Sequence, residues 1–176
     1  WNLNQLTEAS EFFFKASVIY EKLGNEKGRA NTYSNIGLVF EDQRRPIEAL
    51  EYTQKALNIR IAIGDTIPLG KSLSNIGLFR ADSGDIDSGI YYHKKALPYF
   101  QFKNDKYGLG LCYHNLGTDF HLLNQFDSAL FYAKKALVLR LEIGNKKYIA
   151  ATQSLLGNLY KSNEEYVKSI SAYKES

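Results

Sequence analysis

The 176 residues contain no methionine, one cysteine, three prolines and one tryptophan. A single cysteine excludes an internal disulfide and leans only mildly toward a reducing compartment. With no methionine, Trp1 is not a native start, and the chain is expected to be a piece of a longer protein. No apolar run approaches the ~20 residues of a membrane span, and no charged-then-apolar leader opens the chain. Excess charge is missing as well: 22 basic and 19 acidic residues give +3, so nothing marks a binder of nucleic acid or of a membrane surface. Chemistry-bearing sets are absent too. There is no Ser–His–Asp arrangement, no paired-carboxylate pocket and no phosphate-binding loop, since Gly108-Leu109-Gly110 is too short and sits at a helix start. No enzyme, cofactor or metal centre is expected.

What the chain does have is repetition. The stretch from Ala30 to Leu57 lands on itself when moved forward by 40 residues. Lys55-Ala56-Leu57 returns as Lys95-Ala96-Leu97 and as Lys135-Ala136-Leu137. Gly37 returns as Gly77, Gly117 and Gly157, and Asn35 as Asn75 and Asn115, with Leu155 breaking that series. A fixed period of this size means stacked supersecondary units, each burying its apolar face against its neighbours.

Within a unit, Tyr33, Ile36, Gly37 and Phe40 form one helical stripe. Ala49, Leu50, Thr53, Ala56 and Leu57 form another. Pro46 lies between them, where the first turn of a helix has no use for an N–H. Each unit therefore reads as two antiparallel helices, A then B, of roughly 17 residues and ~25 Å each. A glycine inside a helix costs about 1 kcal/mol relative to alanine, so its return at one phase suggests a packing need. With Ala49, Gly89, Ala129 and Ser169, it would let the two helices approach to ~8 Å. Gly24-Asn25, Gly64-Asp65, Asn104-Asp105 and Gly144-Asn145 end the B helices, the first residue turning left-handed and the second capping the next helix. The expected organisation is one repeat domain: an orphan B helix in residues 1–24, repeats at 25–64, 65–104 and 105–144, and a partial repeat at 145–176. Pro98, inside a B helix, predicts a kink or an early end between Leu97 and Phe102.

These residues resemble the tetratricopeptide repeat. Its pattern of aromatic, Leu-Gly, aromatic, Ala, aromatic and Ala is met by Tyr33, Ile36-Gly37, Phe40, Ala49, Thr53 and Ala56. The third unit supplies Tyr113, Leu116-Gly117, Phe120, Ala129, Ala133 and Ala136. Departures are Arg80 at one aromatic place, and Thr53, His93 and Ala133 at another. At 40 residues the unit exceeds the usual ~34 and is similar to the long repeats of kinesin light chains, Pins-type polarity adaptors and bacterial signalling regulators. The resemblance implies an all-α, right-handed α-solenoid of antiparallel helix pairs, about nine helices, with the A helices lining a concave groove.

It also implies the site. The expected function is a protein-interaction module holding a peptide or partner segment against Asn31, Ser34, Asn35, Leu38, Lys71, Ser74, Asn75, Leu78, His114, Asn115, Thr118, His121 and Asn158. Glu41, Asp42 and Asp82 lie at groove phases as well. Asn35, Asn75 and Asn115 carry most of this expectation, because an asparagine offers both a donor and an acceptor to an extended backbone. The alternative for them is bonding within the helix pairs. A carboxylate clamp of the co-chaperone type is not expected, since its places hold Ser34, Leu111 and Asn115. A second function class is the sensory or regulatory part of a bacterial signalling protein, cytoplasmic, or periplasmic if it belongs to a membrane sensor. Self-association through uncapped ends is a further expectation.

The remaining candidates read as structural. His114 and His121, about two turns apart (~10 Å), are too distant to share a zinc. His93 takes a core-lining place and Cys112 a small-residue slot. The lysines of the three triplets, with Lys94 and Lys134, form a solvated stripe diluted by Glu51, Asp87 and Asp127. Phe12, Phe13 and Phe14 cover a wide arc, part packed and part exposed.

Overall fold

A computed structural model describes residues 3–66, 68–162 and 166–175. Among these the chain forms nine helices and no strand: α1 (Leu3–Lys22), α2 (Glu26–Asp42), α3 (Pro46–Ala62), α4 (Leu69–Asp82), α5 (Ile86–Phe102), α6 (Lys106–Leu122), α7 (Phe126–Ile143), α8 (Lys146–Ser162) and α9 (Tyr166–Glu175). Two compact units divide at Tyr92 and His93, inside α5.

Turn chemistry sets the helix ends. Gly24, Gly64, Asn104 and Gly144 take positive φ of 63°, 67°, 51° and 76° after the B helices, and Arg44, Gly84 and Asn124 do so after A helices. The side chain of Asn25 then accepts the N–H of Gly28 at 2.9 Å, and that of Asp105 the N–H of Gly108 at 2.9 Å. Asn145 accepts from Tyr148 more weakly, at 3.4 Å.

Asp65 does not cap its helix as the repeat predicts. The donor position three residues on is Pro68, which has no N–H to give. Accordingly α4 starts only at Leu69 and has 14 residues where α2 and α6 have 17. The Asp65 Oδ2 is left buried without a hydrogen-bond partner. Pro46, by contrast, opens α3 as expected.

In the first unit, Ile36, Phe40, Ala49 and Phe79 are buried together, flanked by Phe13, Phe14, Tyr33 and Tyr52. Tyr52 stacks on Phe40 with centroids 5.5 Å apart and meets Phe14 edge-on at 5.4 Å. Full burial of a side chain such as Phe79 is worth roughly 1.5–3 kcal/mol. Phe12 remains 70% exposed while its two neighbours are half-buried. The repeated glycine meets the packing need inferred for it. A Cβ on Gly37 would lie 2.5 Å from Thr53 Oγ1 and 3.1 Å from the Ala49 carbonyl oxygen. In the second unit, one on Gly117 would meet the Ala133 nitrogen at 3.2 Å. There Phe120 and Tyr132 stack at 5.5 Å, and Leu116, Ala129, Ala133 and Ala136 are buried.

The early end expected at Pro98 does not occur, since α5 continues to Phe102. Pro98 lies on an exposed side of the helix's last turns, and so does Lys94. The Lys94 carbonyl, deprived of its helical donor, can take water instead.

Candidate functional site

In the first unit, α2 and α4 present their side chains to one hollow of ≈ 330 Å³. Asn31, Ser34, Asn35 and Leu38 come from α2, and Lys71, Ser72 and Asn75 from α4; Arg60 and Pro68 complete the lining. Six of the residues expected from the sequence are therefore brought together here. Ser74 is buried, and Leu78 packs on the aromatic core.

Arg60 is the residue that sequence reasoning missed. It belongs to α3, a B helix, yet only 4% of it is exposed. Its Nη1 donates to Ser34 Oγ at 2.7 Å and to Ser72 Oγ at 2.5 Å, and its Nη2 donates to Asn31 Oδ1 at 2.9 Å. All three partners are neutral. Burial lowers its pKa from the ordinary arginine value, and the charge of Asp65 partly opposes that. Its Nε is buried without a partner.

Further along the same two helices the charge reverses. Glu41, Asp42 and Asp82, with Arg44 and Pro46, line a second hollow of ≈ 460 Å³. Burial, then the charges of Asp42 and Asp82, raise the pKa of Glu41.

The expected residues of the second unit have local engagements. Asn115 Nδ2 donates to His93 Nε2 at 3.2 Å, and the other ring nitrogen of His93 bonds Asp119 Oδ2 at 2.8 Å. This pattern corresponds to the tautomer protonated at Nδ1. His93 and Asp119 are both buried. Thr118 Oγ1 donates to the His114 carbonyl at 3.2 Å, and Asn158 Oδ1 accepts from the Tyr173 hydroxyl at 2.6 Å. His121 lies beside the Phe126 ring, with centroids 6.0 Å apart. His114 is held near pKa 4 by burial, then by the charge of Arg140. Cys112 is buried, in keeping with a small-residue slot. Among the described residues no group of three or more His, Cys, Asp or Glu could hold a metal ion, and no helix is long and apolar enough to cross a membrane.

Arg140 is the repeat counterpart of Arg60 and is equally buried, at 5% exposure. Its setting is closed. Nη1 donates to the Tyr148 carbonyl at 2.8 Å and to Thr152 Oγ1 at 2.5 Å. The guanidinium lies 5.4 Å from the Tyr148 ring centroid, and the Tyr107 and Tyr148 hydroxyls are bonded at 2.9 Å. Only ≈ 10 Å³ is left between Tyr107, Leu111, Arg140, Ile143, Asn145 and Tyr148.

The lysine stripe is exposed and locally paired. Lys55 bonds Glu51 at 2.6 Å and lies 4.4 Å from the Tyr52 ring centroid, and Lys135 is 4.4 Å from that of Phe131.

Comparison with known proteins agrees with this architecture. Structural similarity is high to BtubC (BKLC) from P. vanneervenii, with a TM-score of 0.87 at 18% identity over 97% of this chain and 71% of that one. A tetratricopeptide-repeat sensor protein from Pyrococcus horikoshii, a signal-transduction ATPase with numerous domains, gives 0.83 at 24% identity over 98% of this chain and 27% of that one. A putative kinesin light chain from Podosopora anserina gives 0.76 at 13% identity, covering 98% and 85% of the two chains. The comparison with curated proteins gives no sequence match. Sequence models described as tetratricopeptide repeat match residues 69–142 and residues 29–63, together more than half of the sequence. The chain belongs to the tetratricopeptide-repeat family.

Proposed function

We propose that this chain is a protein-interaction module that holds an extended peptide segment across the face shared by α2 and α4. One observation carries the reading: Asn31, Ser34, Asn35 and Leu38 of one A helix and Lys71 and Asn75 of the next line a single hollow. An extended backbone leaves its own N–H and C=O groups unpaired. The side-chain amides of Asn35 and Asn75 offer a donor and an acceptor each, in a form indifferent to the ligand's side chains. Leu38 adds an apolar contact. Asn115 is committed to His93, so the first unit contributes most to the reading.

The test uses a random dodecapeptide display library panned on the whole chain, with the recovered peptides remeasured by fluorescence polarisation. Replacing Asn35 and Asn75 together by Ala should weaken binding at least tenfold while circular dichroism stays unchanged. Unchanged affinity in a folded double variant would sink the groove reading.

A second reading is supported by the similarity to the Pyrococcus horikoshii sensor protein, of which this chain spans 27%. In it, the repeats are the sensory region of a larger signalling protein. The gene's full coding sequence tests this directly, through the presence or absence of a kinase, ATPase or DNA-binding domain beside the repeats.

A further inference from the structure

We propose that the hollow over Arg60 is a carboxylate subsite, taking the acidic side chain or the terminal carboxylate of the bound segment. The inference rests on the groove reading above and adds the chemistry of what sits there.

A guanidinium has five N–H donors and no acceptor. Three of Arg60's donors go to Ser34, Ser72 and Asn31, all neutral, and the Nε–H is buried with no partner. Asp65 acts on it by charge without a hydrogen bond, and the Asp65 Oδ2 is itself unpartnered. A buried cation without a paired anion is costly. Lys71 is exposed at the rim of the same hollow, and no acidic residue lines it. Asn35 and Asn75 supply neutral donors between the two cations. An anion entering here meets two positive charges and two amides at a site shielded from bulk water, where Coulomb attraction is strengthened.

Two comparisons within the molecule sharpen the assignment. Arg140 occupies the equivalent place with equal burial, but Tyr107 and Tyr148 fill the space over it, leaving ≈ 10 Å³ against ≈ 330 Å³. Burial of an arginine at this phase is thus compatible with a closed structural role, and the Arg60 site departs from it by being open. The second comparison is the Glu41, Asp42 and Asp82 end of the same face, which repels a carboxylate and so fixes which end of the groove takes it.

The test is a nitrogen-15 NMR titration of the whole chain. The Arg60 Nε–H resonance is identified by its loss in Arg60→Lys, and that of Arg140 by its loss in Arg140→Lys. The probes are N-acetylglutamic acid α-amide for a side-chain carboxylate and N-acetylglycine for a terminal one, with N-acetylglutamine amide and matched sodium chloride as controls. One or both carboxylates should shift the Arg60 Nε–H and the Asn35 and Asn75 side-chain amides saturably, leaving Arg140 still. The exposed change Lys71→Gln, which leaves the core untouched, should weaken that response at least threefold, and Asp65→Asn should strengthen it. A non-saturating shift, a shift matched by chloride or by the glutamine amide, or equal movement at Arg140 would overturn the proposal. In that event peptides recovered by panning and still dependent on Asn35 and Asn75 would leave the groove reading standing. Loss of that dependence as well would remove both.

Discussion

Arg60 and Arg140 stand 80 residues apart, and each donates from Nη1 to a hydroxyl twelve residues further on: 2.5 Å to Ser72 Oγ and 2.5 Å to Thr152 Oγ1. The chemistry is shared, and the surroundings are not. Over Arg140 two tyrosines close the site, whereas Arg60 borders a hollow large enough for water. Deleting the hydroxyl should therefore cost different amounts. In Thr152→Val a buried N–H is left unpaired, for about 1–3 kcal/mol. In Ser72→Ala water from the hollow can replace the lost acceptor, and the loss should stay below about 1 kcal/mol. Urea denaturation of the two variants measures the difference. Equal losses would mean that the Arg60 hollow is dry.

The 40-residue period made the helix pairs, their ends and six lining residues of the hollow legible. It did so because it records where each side chain is rooted. It does not record where a long side chain ends, and the omissions follow from that. Arg60 is rooted on a B helix and reaches the A-helix face; its recurrence appears only at 80 residues, since Tyr20 and Phe100 hold the intervening places. Asp119 breaks a series of Val39, Phe79 and Leu159, and His93 breaks one of Thr53 and Ala133. Taken singly each looks like an isolated departure, yet the two bond each other at 2.8 Å. Asn115 is drawn inward by that pair, which no spacing rule could reveal.

Gly37 tests the close approach of α2 and α3. Alanine there would gain about 1 kcal/mol in helix propensity. Its Cβ would press on Thr53 Oγ1 at 2.5 Å and on the Ala49 carbonyl oxygen at 3.1 Å. Overpacking of this kind costs about 1–3 kcal/mol, so Gly37→Ala should destabilise. Adding Thr53→Ala should recover part of the loss in a double-mutant cycle, because the nearest clash is then removed and the backbone contact remains. Gly117→Ala, whose nearest contacts are at 3.2–3.3 Å, should be milder. A neutral Gly37→Ala in thermal melts would contradict the packing account.

Pro68 tests the short start of α4. Alanine restores the N–H that Gly28 and Gly108 use to cap their helices. Asp65 should then accept that bond and α4 should gain about a turn, visible as helical carbon-13 shifts at residues 66 and 68. Stability should change little. A cap contributes ~1 kcal/mol, and losing proline's restriction of the unfolded chain costs about 0.4–1 kcal/mol. If the helix still began at Leu69, the missing donor would not be the cause.

His114 makes the fold sensitive to mild acid. Its pKa is about 4 in the folded chain and 6.5 ordinarily, through burial first and the charge of Arg140 second. Below pH 6.5 the unfolded chain takes up a proton that the folded one refuses until near pH 4. Unfolding is thereby favoured, and stability must fall as the pH drops through that window. At 1.36 kcal/mol per pKa unit, the full loss is roughly 3 kcal/mol by pH 4. Glu41 works in the opposite sense. Its raised pKa means that the folded state holds a proton longer than the unfolded one, so its contribution is fullest in acid and fades as the pH rises. Because Glu41 is more open to solvent, its effect should be the smaller. Urea midpoints measured between pH 7 and pH 4 should therefore decline, and His114→Gln should flatten most of that decline. An unaltered slope in the glutamine variant would place the acid sensitivity elsewhere in the chain.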